Sequence, residues 1–112
     1  MATILLVEDS DLCAYVFRRA LENAGYDVVV ATTASDALDK VAKQTFAAAL
    51  VDTRLPDGDG AALRLPCPRV MMSADASPGV LTKTSDTTPL IAAVCQAIAS
   101  AGGSPTAMAQ VP

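Results

Sequence analysis

Two short apolar runs in this chain each stop abruptly at carboxylates. Ile4-Leu5-Leu6-Val7 ends in Glu8-Asp9, and Ala47-Ala48-Ala49-Leu50-Val51 ends in Asp52. Apolar runs without alternation mark parallel strands that are covered on both faces. In open α/β sheets ligands collect beyond the carboxyl ends of such strands. Two neighbouring strands of this kind would set Glu8, Asp9 and Asp52 at one sheet edge. Three carboxylates crowded there repel one another. A hard, oxygen-seeking cation such as Mg2+ would make sense of them.

The rest of the chain alternates strand with helix. Thr3–Val7 reads as the first strand. Asp11–Ala24 is an amphipathic helix with Leu12, Val16, Ala20 and Leu21 on its inward face, stopped by Gly25 and capped by Asp9 or Ser10. Asp27–Ala31, built on Val28-Val29-Val30, is the second strand. Ser35–Lys43 is a second helix, with Ser35 as its cap and Ala37, Leu38, Val41 and Ala42 inward. Ala47–Val51 is the third strand.

Beyond Asp52 the pattern loosens. Thr53–Gly60 is a turn-rich loop. Its Asp57-Gly58-Asp59-Gly60 stretch resembles a calcium loop but lacks the glutamate that closes one, so a structural turn is the better reading. Ala61–Leu65 supports at most a turn or two of helix before Pro66 and Pro68. Val70-Met71-Met72 is a fourth strand closing on Ser73, and Gly79–Thr82 a weak fifth that ends at Lys83. Thr87–Ala99 is the last helix. The prediction is an α/β, flavodoxin-like, doubly wound parallel sheet of five strands, with a short third helix and no fourth. It occupies residues 1–101 as one domain, followed by a loose tail over 102–112.

Charge and composition exclude several functions. The chain has 112 residues, a net charge of -4 and no histidine. An acidic chain lacks the basic face that a phosphate backbone requires, so no nucleic-acid partner is expected. Without histidine there is no imidazole for a catalytic triad, a zinc site or a phosphohistidine. Cys13, Cys67 and Cys95 have neither paired nor CxxC spacing, and are read as reduced, mostly buried thiols. No apolar run reaches membrane-spanning length, so no membrane partner is expected and the cytoplasm is the default location.

Four stretches together give the chain the look of a known family. They are Leu5-Leu6-Val7-Glu8-Asp9, Leu50 through Gly60, Met72-Ser73-Ala74, and Leu81-Thr82-Lys83. In this order, each at the end of a predicted strand, they resemble a response-regulator receiver domain. The resemblance implies that Asp52 is a phosphoacceptor, loaded by a histidine kinase or histidine phosphotransfer protein. It implies that Asp9 ligates Mg2+ directly, Glu8 through water, with Asp52 and the Arg54 backbone carbonyl completing the set. It further implies that Ser73 and the Ala74 amide hold phosphoryl oxygens, with Lys83 reaching them from the far side.

The chain also departs from that family. Nine residues separate Ser73 from Lys83, whereas a parallel crossover needs about a dozen or more. An extended loop could close the gap, as could an antiparallel return at Ser77-Pro78-Gly79. A third solution is a homodimer that exchanges strand or helix. Thr84 stands where the family carries proline, and Val80 where it carries a switching aromatic. The family's usual output surface is largely removed, which shifts any output toward the first and last helices. The expected function is therefore a phosphorelay switch, not an enzyme, that signals to a downstream protein by contact. A degenerate receiver that binds partners without phosphate is the alternative. An aspartyl phosphatase fits poorly, since no acid stands two residues beyond Asp52.

Overall fold

The computed structural model describes residues 2–73, 81–82 and 87–102. Its elements are β1 (Thr3–Val7), α1 (Asp11–Asn23), β2 (Asp27–Ala31), α2 (Ala34–Lys43) and β3 (Ala48–Asp52). They continue with β4 (Arg54–Leu55), β5 (Gly58–Asp59), a 3-10 turn at Gly60–Ala62, β6 (Arg69–Ser73), β7 (Leu81–Thr82) and α3 (Thr88–Gly102). The main sheet has the order β2-β1-β3-β6-β7, and every pairing in it is parallel.

The apolar runs become strands because both of their faces are covered. Alternate residues point to opposite faces. Ile4, Leu6, Leu50 and Met72 pack with Ala14, Phe17 and Leu21 of α1 and with Leu90 and Val94 of α3. Leu5, Val7, Ala49 and Val51 pack on the other face, with Ala31, Ala37 of α2, Leu55 and Leu63. Ile4 through Val7 and Ala48 through Val51 are all fully buried.

Both early helices end as local chemistry requires. Ser10 caps α1, its hydroxyl accepting from the Cys13 amide at 3.3 Å. At the other end the Gly25 amide donates to Glu22 and the Tyr26 amide to Leu21. This closing pattern needs a left-handed residue, which Gly25 supplies with φ 100°. The cap of α2 is Thr33, not Ser35: its hydroxyl accepts from the Asp36 amide at 2.9 Å.

The inward faces differ from those expected. The buried stripe of α1 is Ala14, Phe17 and Leu21. Leu12 and Val16 lie with Tyr15 on the exposed side, and Leu38 of α2 is exposed as well. Apolar spacing alone fits more than one stripe, and the Phe17 ring, the largest apolar group on α1, takes the sheet side. Among the cysteines Cys13 and Cys67 are half-buried and Cys95 is exposed, which corrects the expectation of mostly buried thiols.

Two further differences lie after β3. The stretch read as a loop contains an antiparallel hairpin, Arg54 opposite Asp59 and Leu55 opposite Gly58. The third helix, expected over Ala61–Leu65, shrinks to a 3-10 turn at Gly60–Ala62. β7 runs parallel to β6, with Met72 opposite Leu81 and Ser73 opposite Thr82. The antiparallel return is therefore not the solution adopted. α3 extends through Gly102, past the predicted helix end at Ala99. No helix among the described residues is long and apolar enough to cross a membrane.

Candidate functional site

The parallel register fixes the site. Val7 lies opposite Val51, so the next residues, Glu8 and Asp52, leave the sheet side by side. Glu8 is fully buried and Asp52 is 5% exposed. The Glu8 amide continues the sheet by donating to the Ala31 carbonyl at 2.9 Å. Its carboxylate Oε2 accepts from the Ser10 amide at 3.0 Å. Since Ser10 also caps α1, this turn is held from both sides. Asp9 stands between them, exposed at the sheet edge.

Glu8, Asp9 and Asp52 each offer a carboxylate oxygen, and these oxygens lie within 4.8 Å of one another. At an effective dielectric of about 20, two unit charges about 4 Å apart repel by roughly 4 kcal/mol. The cluster is costly by itself, and more so because Glu8 is removed from water. The donor set consists of hard oxygens with no thiol or imidazole, which suits Mg2+ rather than zinc. The residues present therefore fit the ion.

The β3–β6 side completes the edge. Asp52 lies opposite Met72, and the Thr53 amide donates to the Met72 carbonyl at 2.9 Å. Ser73, the next residue of β6, is 6% exposed and reaches the same strand end. The Arg54 amide turns back to donate to Asp52 Oδ1 at 3.1 Å. Ala74 and Lys83 lie outside the described residues, as do Val80 and Thr84. Of the residues expected at the site, the structure brings the carboxylates of Glu8, Asp9 and Asp52 together, with the Arg54 amide on Asp52 and Ser73 at the adjoining strand end.

With this geometry in place, the comparison with known families decides the identity. The profile of the response regulator receiver domain matches residues 4–77. The chain belongs to the response regulator receiver family. Its fold is shared by a CheY-like receiver domain protein from Methanospirillum hungatei JF-1, with a TM-score of 0.81 and 24% identity over 92% of this chain and 98% of that one. A sensor protein from Polaromonas sp. JS666 is 31% identical, with a TM-score of 0.78 over 87% of this chain and 95% of that one. The response regulator TrrA from Thermotoga maritima, solved in complex with Mg2+ and BeF, has a TM-score of 0.78 and 17% identity, covering 87% and 99%. A comparison with curated proteins gives no match. The profile match stops at residue 77, before Lys83.

Two residues of this receiver escape sequence reasoning. Asp57 sits in the turn between β4 and β5, and its carboxylate accepts from the Ala34 amide at 2.8 Å and the Ser35 amide at 3.0 Å. It thus satisfies the first two exposed donors of α2 from a distant loop, while Thr33 satisfies the third. No local signal announces such a cap, because the partners are 22 and 23 residues apart. Gly60 is the other. A Cβ there would stand 1.9 Å from the Asp52 carbonyl oxygen.

The bond from the Ala34 amide, then that from Ser35, holds the Asp57 carboxyl below the usual aspartate value of 3.8. A depressed folded-state pKa contributes stability that is complete above the unfolded value and lost as pH falls through the folded one. Asp57→Asn should therefore unfold at lower denaturant than the wild type at pH 7. The gap should narrow below pH 3.8. Urea titrations at several pH values check this, and a gap independent of pH would contradict the cap.

Proposed function

We propose that this receiver takes a phosphoryl group on Asp52, with Mg2+, and signals by protein contact. The observation that carries this reading is the convergence of Glu8, Asp9 and Asp52 oxygens within 4.8 Å at the strand ends. In the proposed transfer an Asp52 oxygen attacks the phosphorus of a phosphohistidine, and the P–N bond breaks as imidazole leaves. An anionic nucleophile approaches an anionic group only when their charges are offset. Mg2+, when bound by Glu8, Asp9, Asp52 and the Arg54 carbonyl, supplies that offset. Ser73 donates to a phosphoryl oxygen, with the Ala74 amide and Lys83 as further donors.

The chain has no histidine of its own, and a histidine kinase or phosphotransfer protein is the proposed donor. Leu12, Tyr15 and Val16 give α1 an exposed apolar strip beginning three residues after Asp9. That strip is suited to hold such a donor beside the pocket. The downstream protein is met by contact as well, and the protein acts in the cytoplasm as a stoichiometric switch.

The test is intact mass after incubation with Mg2+ and a small-molecule phosphodonor, paired with an NMR titration. A working receiver gains one phosphoryl group, and Mg2+ shifts the amide signals of Glu8, Asp9 and Asp52. A folded protein that gains nothing, with a donor proven on another receiver, would overturn the reading in favour of a phosphate-independent interaction module.

A further inference from the structure

The hairpin after β3 is fastened at both ends, and the two fastenings concern different parts of the molecule. At its base the Arg54 amide donates to the Asp52 carboxylate at 3.1 Å. The Gly60 amide donates to the Thr53 carbonyl at 2.9 Å, and Gly60 presses so close to the Asp52 carbonyl that no Cβ fits. At its tip both oxygens of Asp57 hold the N-terminal turn of α2. Between them Leu55 is 9% exposed and seated in the core, and Pro56 fixes the turn's backbone.

We propose that this hairpin is a lever by which the state of the acidic pocket is felt at the N-terminus of α2, with Asp57 as the positioning residue. The inference rests on the pocket reading given above and adds a route out of the pocket. A short, doubly fastened hairpin has little slack to absorb a displacement of Asp52. A change in charge or ligation at Asp52 alters the charge-assisted bond from Arg54, tilts the hairpin and loosens or tightens the Asp57 clasp. The clasp also forms one wall of a groove of about 390 Å³ lined by Ala34, Leu38, Leu63 and Arg64. The exposed Leu38 therefore lies where the clasp's movement alters the surface. Coupling of this kind is reciprocal: what pocket occupancy does to α2, α2 does to pocket occupancy.

Residue-resolved amide exchange tests the lever, with an internal control. Ala34 and Ser35 are held by Asp57, whereas Asp36, in the same turn, is held by Thr33. Because a cation on Asp52 weakens the carboxylate that the Arg54 amide meets, saturating Mg2+ should speed exchange at Ala34 and Ser35 about fivefold relative to Asp36. In Asp57→Ala that ratio should not respond to Mg2+, although Mg2+ still shifts Glu8 and Asp9. Asp57→Asn, which keeps one accepting oxygen of the carboxylate pair, should restore part of the response. Shifts at Glu8, Asp9 and Asp52 with an unchanged ratio in the wild type would overturn the lever while leaving the pocket intact.

A second arm needs no metal. Asp52→Asn removes the charge that the Arg54 amide meets, and should speed exchange at Ser35 relative to Asp36 in Mg2+-free buffer. If Mg2+ leaves Glu8, Asp9 and Asp52 unshifted, the pocket reading fails and this arm alone decides the lever. An unchanged ratio there would overturn it.

Discussion

Asp52→Asn will take up no phosphoryl group under conditions in which the wild type takes up one, and it will bind Mg2+ about tenfold or more weakly. The first half follows from the nucleophile: a carboxamide oxygen carries no negative charge and is far less nucleophilic than a carboxylate oxygen. The second follows from the metal set, since even partners one shell out cost about 10–100-fold in affinity when removed. Among the described residues Asp52 is one of three carboxylates in the cluster. The variant should fold, because the asparagine oxygen can still accept the Arg54 amide bond that now ends on Asp52 Oδ1. Intact mass and a Mg2+ titration read the two halves separately. A variant that is still phosphorylated would move the acceptor to another side chain.

Gly60→Ala will destabilise the protein by about 3 kcal/mol, enough to lower the melting temperature on the order of 10 °C. The added Cβ would sit 1.9 Å from the Asp52 carbonyl oxygen, 2.9 Å from its carbon and 3.0 Å from Val51 Cγ1. Two of these neighbours are backbone atoms of Asp52, which is held in the sheet by its pairing with Met72 of β6, so they cannot step aside as a side-chain tip would. Relief must come from the hairpin or the 3-10 turn, which unseats Leu55 and Leu63 from the core. Thermal unfolding with and without Mg2+ measures the effect. A loss within about 0.5 kcal/mol, the range of ordinary surface substitutions, would show that the segment accommodates a methyl group without strain.

The acidic cluster was legible because two independent signals met. Apolar runs without alternation require a parallel, doubly covered sheet, and both runs end in acids. The Val7–Val51 register then follows from having β1 and β3 as neighbours. Gly25 was legible as well, since a helix stop of that kind is local chemistry. The inward faces of α1 and α2 were less so. Leu12, Val16 and Leu38 have the spacing of core residues but stand in solvent. On α1 a second stripe, Ala14, Phe17 and Leu21, takes the sheet side, whereas on α2 Ala37 and Val41 pack inward as expected.

Sequence alone determined the alternation of strand and helix, the sheet edge that gathers Glu8, Asp9 and Asp52, and the short count between Ser73 and Lys83. Those are consequences of periodicity, strand-end chemistry and chain length, all of which act within a few residues or set a simple count. Only the tertiary structure decided that Asp57 caps a helix 22 residues before it, that Gly60 presses against Asp52, and that β7 returns parallel to β6. These depend on where separate segments meet in space. A carboxylate finds unpaired amides, and a glycine admits a neighbouring backbone, only after the sheet has brought them together.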